Sequence, residues 1–161
     1  CSPSDFNRDS NQINKLIGIY EIVKSKLKWF GDINVLDLGC GNGNGIATLK
    51  SKFKKKINGF GADSKIEKTI PTVTLIRCRL GSLPFPKKFF EVVYSCEVFY
   101  SIKDHDLINV FKDAIRVLKP KGKFVFNDSR RDYKYYNRYI ISQMNGNLEF
   151  KQFGKAFLLI R

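Results

Sequence analysis

The sequence predicts an α/β fold, in which helices cover a mostly parallel sheet. Segments with helical and strand periodicity alternate along the chain, as they do where crossover helices join parallel strands. The 161 residues suit one domain, and 43% hydrophobic with 27% charged residues is ordinary for a globular protein. A glycine-rich turn at residues 39–43 separates a strand from a helix. We therefore expect a single domain over residues 1–161.

Helical segments are recognised by apolar residues that recur every three or four positions. The first is expected to be one uninterrupted amphipathic helix, and the last is ended by Pro120 and Gly122. A short helix precedes Pro71, because a proline disfavours helical geometry in the residue before it. Residues 129–145 are basic and rich in tyrosine, and we expect them to be partly helical. The helices are predicted at residues 11–27, 45–53, 64–69 and 104–118.

Seven runs of apolar and β-branched residues predict strands. The last two runs are joined at residues 153–155, a short connection with a central glycine that suits a hairpin. The sequence has no internal repeat, and no apolar run reaches the roughly 18 residues needed to span a bilayer. The strands are predicted at residues 34–38, 57–62, 72–78, 90–95, 123–127, 148–152 and 156–160.

The net charge of +14 favours anionic partners, such as nucleic acid, acidic lipid or an acidic protein. A general excess of lysine on a solvated surface explains the same number, so the two interpretations stay open. Residues 54–56 are three lysines at the end of a predicted helix. Cations there complement the helix dipole, and a solvated turn is favoured over a binding patch.

The four cysteines are not spaced as zinc ligands, since none forms a CxxC pair and His105 is the only histidine. We therefore predict no metal site. Cys78 and Cys96 lie in apolar runs and are expected to be small core residues. This use of cysteine is typical of a reducing compartment, and we expect a cytoplasmic or nuclear protein.

The strongest functional signal is the turn that follows the predicted strand 34–38. Glycine occupies every second position of residues 39–43, where it permits a sharp turn and a close approach of a ligand to the backbone. The helix beyond the turn directs its first N–H groups toward an anionic group. The turn is not a dinucleotide fingerprint, because the third glycine would fall on Asn44 or Ile46. It is not a phosphate-binding P-loop either, because no Gly-Lys-Ser/Thr follows.

The spacing of Asp37, Gly39, Gly41 and Gly43 resembles D-x-G-x-G-x-G, the first motif of the class I S-adenosylmethionine-dependent methyltransferases. Asp63 follows at the end of the second strand, where that family places an acidic residue. A carboxylate there accepts hydrogen bonds from both hydroxyls of a ribose, as in dinucleotide-binding folds.

Two later segments extend the resemblance. Residues 83–93 are similar to the family's LPF…FDxV stretch, which leads into the fourth strand, and residues 116–122 resemble its R-x-L-K-P-G-G turn. The resemblance covers residues 33–128, the expected cofactor-binding core. An N-terminal segment and helix, residues 1–30, precede this core, and a substrate-side segment with the terminal hairpin, residues 129–161, follows it.

The resemblance implies a three-layer Rossmann-like fold of seven strands, with the terminal hairpin as an antiparallel edge and S-adenosyl-L-methionine bound at the carboxyl ends of the strands. The glycine turn would hold the methionine part of the cofactor, and Asp37 its amino group. Asp63 would bind the ribose, and Leu80 would offer a backbone N–H and an apolar wall to the adenine ring. Ser95 would line the methionine end by its backbone. The residues implied to bind the cofactor are Asp37, Gly39, Cys40, Gly41, Gly43, Asp63, Ser64, Leu80 and Ser95.

Two positions depart from the family pattern. Arg79 stands where an acidic residue accepts a hydrogen bond from the adenine amino group, and an arginine offers only donors. The lost hydrogen bond costs about 0.5–1.5 kcal/mol, which weakens binding without forbidding it. Lys121 replaces a glycine of the R-x-L-K-P-G-G turn, away from the expected cofactor site.

Methyl transfer from a sulfonium needs alignment more than acid–base chemistry, so the sequence marks the cofactor site better than the catalytic one. Catalytic residues stay unassigned, with Glu97 and Tyr100 as candidates for contacts with cofactor or acceptor. Ser101 occupies the place of a histidine found in related enzymes. His105, at the start of a helix, is expected on the surface.

The methyl acceptor is open between a small organic molecule and an anionic acceptor such as RNA. Residues 129–139 combine cations with tyrosines, which suits either a cover over the cofactor or contacts to bases and phosphates. A second hypothesis is a non-catalytic, methyltransferase-like module that binds a protein or nucleic-acid partner. Arg79, the small size and the high charge motivate this hypothesis.

Overall fold

The computed structural model describes residues 10–161, and residues 1–9 of the predicted N-terminal segment lie outside the described part. Its centre is one seven-stranded sheet. The strands are β1 (Ile33–Leu38), β2 (Ile57–Asp63), β3 (Thr74–Arg77), β4 (Phe90–Ser95), β5 (Leu118–Phe126), β6 (Glu149–Phe153) and β7 (Ala156–Ile160). The helices are α1 (Ser10–Ile17), α2 (Ile19–Leu27), α3 (Asn44–Phe53) and α4 (Asp104–Val117), and shorter helical turns lie at Lys54–Lys56, Phe99–Ser101, Tyr133–Tyr135, Tyr136–Ile140 and Ile141–Gln143.

The strand order is β3-β2-β1-β4-β5-β7-β6. The first five strands of the chain pair in parallel, whereas β7 is antiparallel to both β5 and β6. The predicted α/β fold, a Rossmann-like sheet with an antiparallel terminal hairpin, is therefore confirmed. We call the edge of the sheet at which β1 to β5 end the carboxyl edge, and the edge at which they begin the amino edge.

Successive residues of the central strands point to opposite faces of the sheet, and each face has its own core. Val35 contributes to one core with α1, α2 and α3, and its neighbour Leu36 contributes to the other with α4. Both residues are fully buried, as parallel strands covered on both faces must be. Cys96 is buried in the first core as predicted, whereas Cys78 is only half-buried against the second.

The prediction of one uninterrupted helix over residues 11–27 is wrong, because Gly18 separates α1 from α2. Gly18 has φ +64°, a left-handed conformation that lies between the end of α1 and the start of α2. A Cβ at this position would lie 2.7 Å from the ring of Phe153 in the terminal hairpin. Asn14 stabilises the break, since its Oδ1 accepts a 2.8 Å hydrogen bond from the N–H of Tyr20.

The predicted helix over residues 64–69 is also wrong, and the segment is irregular. Its backbone groups are engaged by side chains of neighbouring elements. The N–H of Lys65 donates to Asp63, and that of Glu67 donates to Oδ1 of Asn42 at 3.2 Å. The guanidinium of Arg77 binds the carbonyl of residue 66. These bonds compete with helical ones and hold the segment against the glycine turn.

Candidate functional site

The glycine turn after β1 is fixed to the end of β2 by backbone hydrogen bonds. The N–H groups of Gly39 and Cys40 both donate to the carbonyl of Ala62, at 2.8 and 3.2 Å, and Gly43 donates to Cys40 at 3.0 Å. Gly39, Gly41 and Gly43 have φ of 80°, 57° and 81°, a region that side chains with a Cβ rarely adopt. The alternating glycines are therefore required by the turn itself.

The three glycines differ in what surrounds them. A Cβ at Gly39 would lie 2.5 Å from Cγ2 of Val98, and a Cβ at Gly43 would lie 2.6 Å from Leu75, so both positions are closed by packing. At Gly41, in contrast, no atom of the described chain beyond its immediate neighbours comes within 4 Å of the Cβ position. Gly41 is thus the point of the turn at which a ligand has room to lie against the backbone.

Asp63, the predicted ribose ligand, is bonded to the same turn. Its Oδ2 accepts a 2.8 Å hydrogen bond from the N–H of Gly41, and its Oδ1 accepts one of 2.9 Å from Lys65. A carboxylate offers about four acceptor sites, so each oxygen retains capacity for a further donor. The residue is half-buried at the carboxyl edge, which leaves that capacity accessible.

A cavity of about 840 Å³ opens beside Asp63 at the carboxyl edge. Four of the predicted cofactor residues line it: Gly39, Asp63, Ser64 and Leu80. The volume lies within the range typical of small-molecule sites, about 300–1,000 Å³. The structure therefore brings together predicted residues from three successive strand ends.

The other predicted residues do not line this cavity. Asp37 is fully buried within β1. Ser95 is also fully buried, and its Oγ donates to the carbonyl of Leu38 at 2.8 Å, which links β4 to β1. The side chain of Cys40 points into the sheet, where its sulfur would lie 2.7 Å from a Cβ at Gly61. These three side chains are buried in the protein interior next to the glycine turn, and not in the cavity.

Arg79, which departs from the family pattern, lies in the cavity and is exposed. Helix α4 also lines the cavity, with Asp106, Asn109 and Asp113. Arg79 has no hydrogen-bond acceptor, but the side chains of these three α4 residues bring acceptor oxygens to the cavity. Lys121, the second departure, lies at the amino edge with φ +62° and has no part in the cavity.

Arg116 connects two of the motifs, which sequence reasoning treated separately. Its guanidinium donates to the carbonyls of Leu83 and Phe85, at 2.8 and 2.7 Å, and to Oδ1 of Asp113 at 2.7 Å. Asp113 in turn accepts a hydrogen bond from the N–H of Leu83. The arginine of the R-x-L-K-P-G-G turn thus fixes the LPF segment, and with it the wall that carries Leu80.

Glu97 and Tyr100, the catalytic candidates, lie outside the cavity. The N–H of Glu97 donates to Oδ1 of Asn127 at 2.8 Å, and the amide nitrogen of Asn127 donates to the Glu97 carboxylate. Glu97 has φ +52°, so this pairing maintains a strained backbone at the end of β4. Tyr100 is 46% exposed and Ser101 lines the cavity, whereas His105 lies on the surface as expected.

Asn127 was missed by the sequence reasoning, although its position carried a signal. It follows directly on the apolar end of β5, at the carboxyl edge where ligand-binding residues of such sheets collect. It is 5% exposed. A polar side chain at the end of a buried strand could have been noted for that reason.

Part of the basic, tyrosine-rich segment has a structural role. Arg131 is buried and bonds to Asp104 at 2.6 Å and to Asp128 at 2.9 Å, and Tyr136 donates to Asp128 at 2.6 Å. Burial, together with this bond to Asp128, raises the pKa of Tyr136 far above its ordinary value. Arg131 and Tyr136 are therefore not available to a nucleic acid. The exposed members of the segment include Arg130, Lys134, Arg138 and Tyr139.

Across 10–161, no three His, Cys, Asp or Glu side chains are grouped so that they could hold a metal ion. Nor does any described helix combine the length and the apolar character that crossing a membrane requires.

Two curated proteins illustrate the sequence similarity. The chain is 26% identical over 133 residues to a fatty-acid O-methyltransferase of Mycolicibacterium smegmatis, a match that covers 78% of this chain and 47% of the relative. It is 31% identical over 129 residues to the sterol 4-C-methyltransferase strm-1 of Caenorhabditis elegans, covering 72% and 37%. The chain therefore spans less than half the length of these relatives.

Solved structures share the fold. The PH0226 protein of Pyrococcus horikoshii matches with a TM-score of 0.56 and 19% identity, over 89% of this chain and 88% of that one. Geranyl diphosphate C-methyltransferase of Streptomyces coelicolor, solved with Mg²⁺, geranyl diphosphate and S-adenosyl-L-homocysteine, matches with a TM-score of 0.52 and 20% identity, over 68% and 43%.

A family model described as a methyltransferase domain matches residues 35–122, more than half of the chain, and includes the glycine turn, Asp63 and Arg116. The chain belongs to this methyltransferase domain family.

Proposed function

We propose that the chain binds S-adenosyl-L-methionine in the cavity at the carboxyl edge and transfers its methyl group to an acceptor. The observation that carries the proposal is the glycine turn, which is open at Gly41, bonded there to Asp63, and adjacent to a cavity of about 840 Å³. The family match supports the same reaction.

The residues present fit this cofactor. Gly41 leaves the backbone accessible, and Asp63 keeps acceptor capacity for the ribose hydroxyls. Leu80 gives the cavity an apolar wall, while Asp106 and Asn109 on α4 supply acceptors for the adenine amino group. When bound, the cofactor supplies a methyl group already activated as a sulfonium. The chain contributes binding and orientation.

Glu97 is the group that we propose to accept a proton when the acceptor must lose one. Glu97 does not line the cavity, but the next residue, Val98, does, so the Glu97 carboxylate lies beside the cavity at the carboxyl end of β4. The amide of Asn127 orients this carboxylate. A fixed carboxylate is a suitable general base for a hydroxyl or an amine. Asn127 acts as its positioning residue.

A small organic acceptor is favoured over RNA. The curated relatives are named for a fatty acid and a sterol. Within residues 129–139, Arg131 and Tyr136 are buried in a network with Asp128, which removes two of the groups that would contact bases and phosphates.

Calorimetry with S-adenosyl-L-homocysteine tests the cofactor site directly. Binding in the micromolar range is expected. An absence of heat at millimolar ligand would contradict the proposal and favour the second candidate, a non-catalytic binding module, which the donor-only Arg79 in the cavity supports.

A screen with methyl-labelled cofactor then identifies the acceptor class. Fatty acids, sterols and amines form one arm, and RNA at low and moderate salt forms the other, because phosphate-driven recognition weakens steeply with salt. Label transferred only to RNA would refute the proposed acceptor class without affecting the cofactor site.

A further inference from the structure

The largest exposed aromatic side chain lies at the amino edge, far from the proposed cofactor site. Trp29 is 83% exposed and its neighbour Phe30 is 48% exposed, in the turn between α2 and β1. The N–H groups of both residues donate to the carbonyl of Lys26 at 3.1 Å. The backbone N–H groups of Trp29 and Phe30 are therefore satisfied within the turn. Both aromatic rings are exposed to solvent.

Other turns of the amino edge lie beside this one. Ile33 is the register partner of Ile57, so the residues before β1 and before β2 are adjacent. The side-chain amide of Asn34 donates to the carbonyl of Phe89 at 3.0 Å, which places the turn before β4 on the other side. Lys26 binds the carbonyl of Lys121, which lies in the irregular first part of β5, where the register with β4 shifts.

These turns form a strongly positive surface, which we name the lysine-rich edge. Their one acidic residue is Asp32. Helices α2, α3 and α4 end here, but a helix C-terminus carries only about half a negative charge, so three of them leave most of the lysines uncompensated. The lysine-rich edge consists of Trp29 and Phe30 with the exposed residues Lys28, Lys54, Lys55, Lys56, Lys87, Lys88 and Lys121.

We propose that the lysine-rich edge docks on an anionic lipid bilayer, with Trp29 and Phe30 in the interfacial layer. Tryptophan and phenylalanine enter the boundary between headgroups and acyl chains, and surrounding lysines are attracted by acidic headgroups. A single-stranded nucleic acid is a poorer fit, because proteins that track a strand place aromatic rings at successive positions of a charged groove. Here both rings belong to one turn.

Trp29 is the only tryptophan of the chain, so tryptophan emission, excited selectively over that of the tyrosines, reports on this turn alone. We expect a blue shift when vesicles of phosphatidylcholine and phosphatidylserine are added at low ionic strength. Vesicles of phosphatidylcholine alone should give little shift. An unchanged spectrum with the anionic vesicles, or an equal response to both kinds, would overturn the proposal.

Charge-reversal variants distinguish binding through the lysine-rich edge from binding that depends only on the net charge of the chain. The triple variant Lys54→Glu, Lys55→Glu and Lys56→Glu should lower the fraction that sediments with anionic vesicles by at least about tenfold. The matched control reverses three exposed lysines outside this edge, Lys68, Lys103 and Lys134, and should keep most of the binding. Equal losses would show that only net charge acts. A tryptophan response to single-stranded RNA without one to vesicles would assign the edge to nucleic acid instead.

Discussion

The backbone N–H of Gly41 donates a 2.8 Å hydrogen bond to Oδ2 of Asp63, 22 residues further along the chain. This bond unites the glycine turn after β1 with the acidic residue at the end of β2. It forms because β1 and β2 are parallel neighbours in which Leu38 pairs with Ala62. The site is therefore a product of strand register, and a change in either partner should affect both the turn and the ligand.

Replacement of Asp63 should weaken cofactor binding more than it weakens the fold. Asp63→Ala removes the acceptor for the ribose hydroxyls and for the N–H groups of Gly41 and Lys65. We expect the affinity for S-adenosyl-L-homocysteine to fall by about tenfold or more, because charge-assisted bonds are lost. Calorimetry measures this change, and chemical unfolding gives the free energy of unfolding.

The variant Asp63→Asn serves as the control. Its amide keeps one acceptor oxygen, so it can retain the bond to Gly41 while losing the charge. We expect an affinity between those of the wild type and Asp63→Ala. Wild-type affinity in both variants would show that Asp63 is not a ligand of the cofactor.

Gly39 and Gly41 should respond differently to the same added methyl group. At Gly39 the new Cβ would lie 2.5 Å from Val98, and we expect Gly39→Ala to lower the free energy of unfolding by about 3 kcal/mol or more. Gly41→Ala meets no such contact and should cost only the backbone strain of φ +57°, about 1–2 kcal/mol. Urea unfolding compares the two variants.

Ligand affinity is a second readout for these variants, separate from the free energy of unfolding. Gly41→Ala fills the space that a ligand requires, so its affinity for S-adenosyl-L-homocysteine should decrease although the fold survives. The double variant Gly39→Ala, Val98→Ala should recover part of the lost stability. If Gly41→Ala binds like the wild type, the open side of the turn is not where the ligand lies.

The elements that the sequence predicted well are those defined by local pattern. Strand β1, an apolar run that ends at Gly39, and helix α4, with its apolar stripe, could be predicted without knowledge of their tertiary contacts. Hydrophobic periodicity and the glycines and prolines that end an element are local properties of the sequence. The break at Gly18 was missed because it depends on Phe153, a residue 135 positions away that packs against it. Tertiary contact thus overrode a clear amphipathic stripe.

The sequence predicted the backbone positions of the candidate site, but not the side-chain pairs that form there. The positions of Gly39 and Asp63 are marked by their place after strands, and both line the cavity. The pairing of Glu97 with Asn127, 30 residues apart, could not be read from spacing, because a side chain selects its partner only after the strands have come together. Motif positions identify backbone geometry better than they identify side-chain partners.

Arg116→Lys should loosen the wall of the cavity that carries Leu80. A lysine has a single charged nitrogen and cannot donate simultaneously to the carbonyls of Leu83 and Phe85 and to Asp113. We expect the free energy of unfolding to fall by about 2 kcal/mol, the loss of one or two charged hydrogen bonds. The exposed Arg130→Lys is the matched control and should change it by less than about 0.5 kcal/mol.

Asp104 should contribute a pH-dependent part of the stability. The hydrogen bond from Arg131 lowers the pKa of Asp104, with smaller contributions from Tyr135 and Arg130. Because the folded state favours the carboxylate, this contribution is complete above the unfolded pKa of about 3.9 and is lost as the pH falls through the lowered folded pKa. The variant Asp104→Asn cannot titrate, so it should be less stable than the wild type near neutral pH. Urea midpoints of the two proteins should then converge as the pH decreases below about 4, whereas a constant gap would mean that Arg131 does not distinguish the ionised carboxylate from a neutral amide.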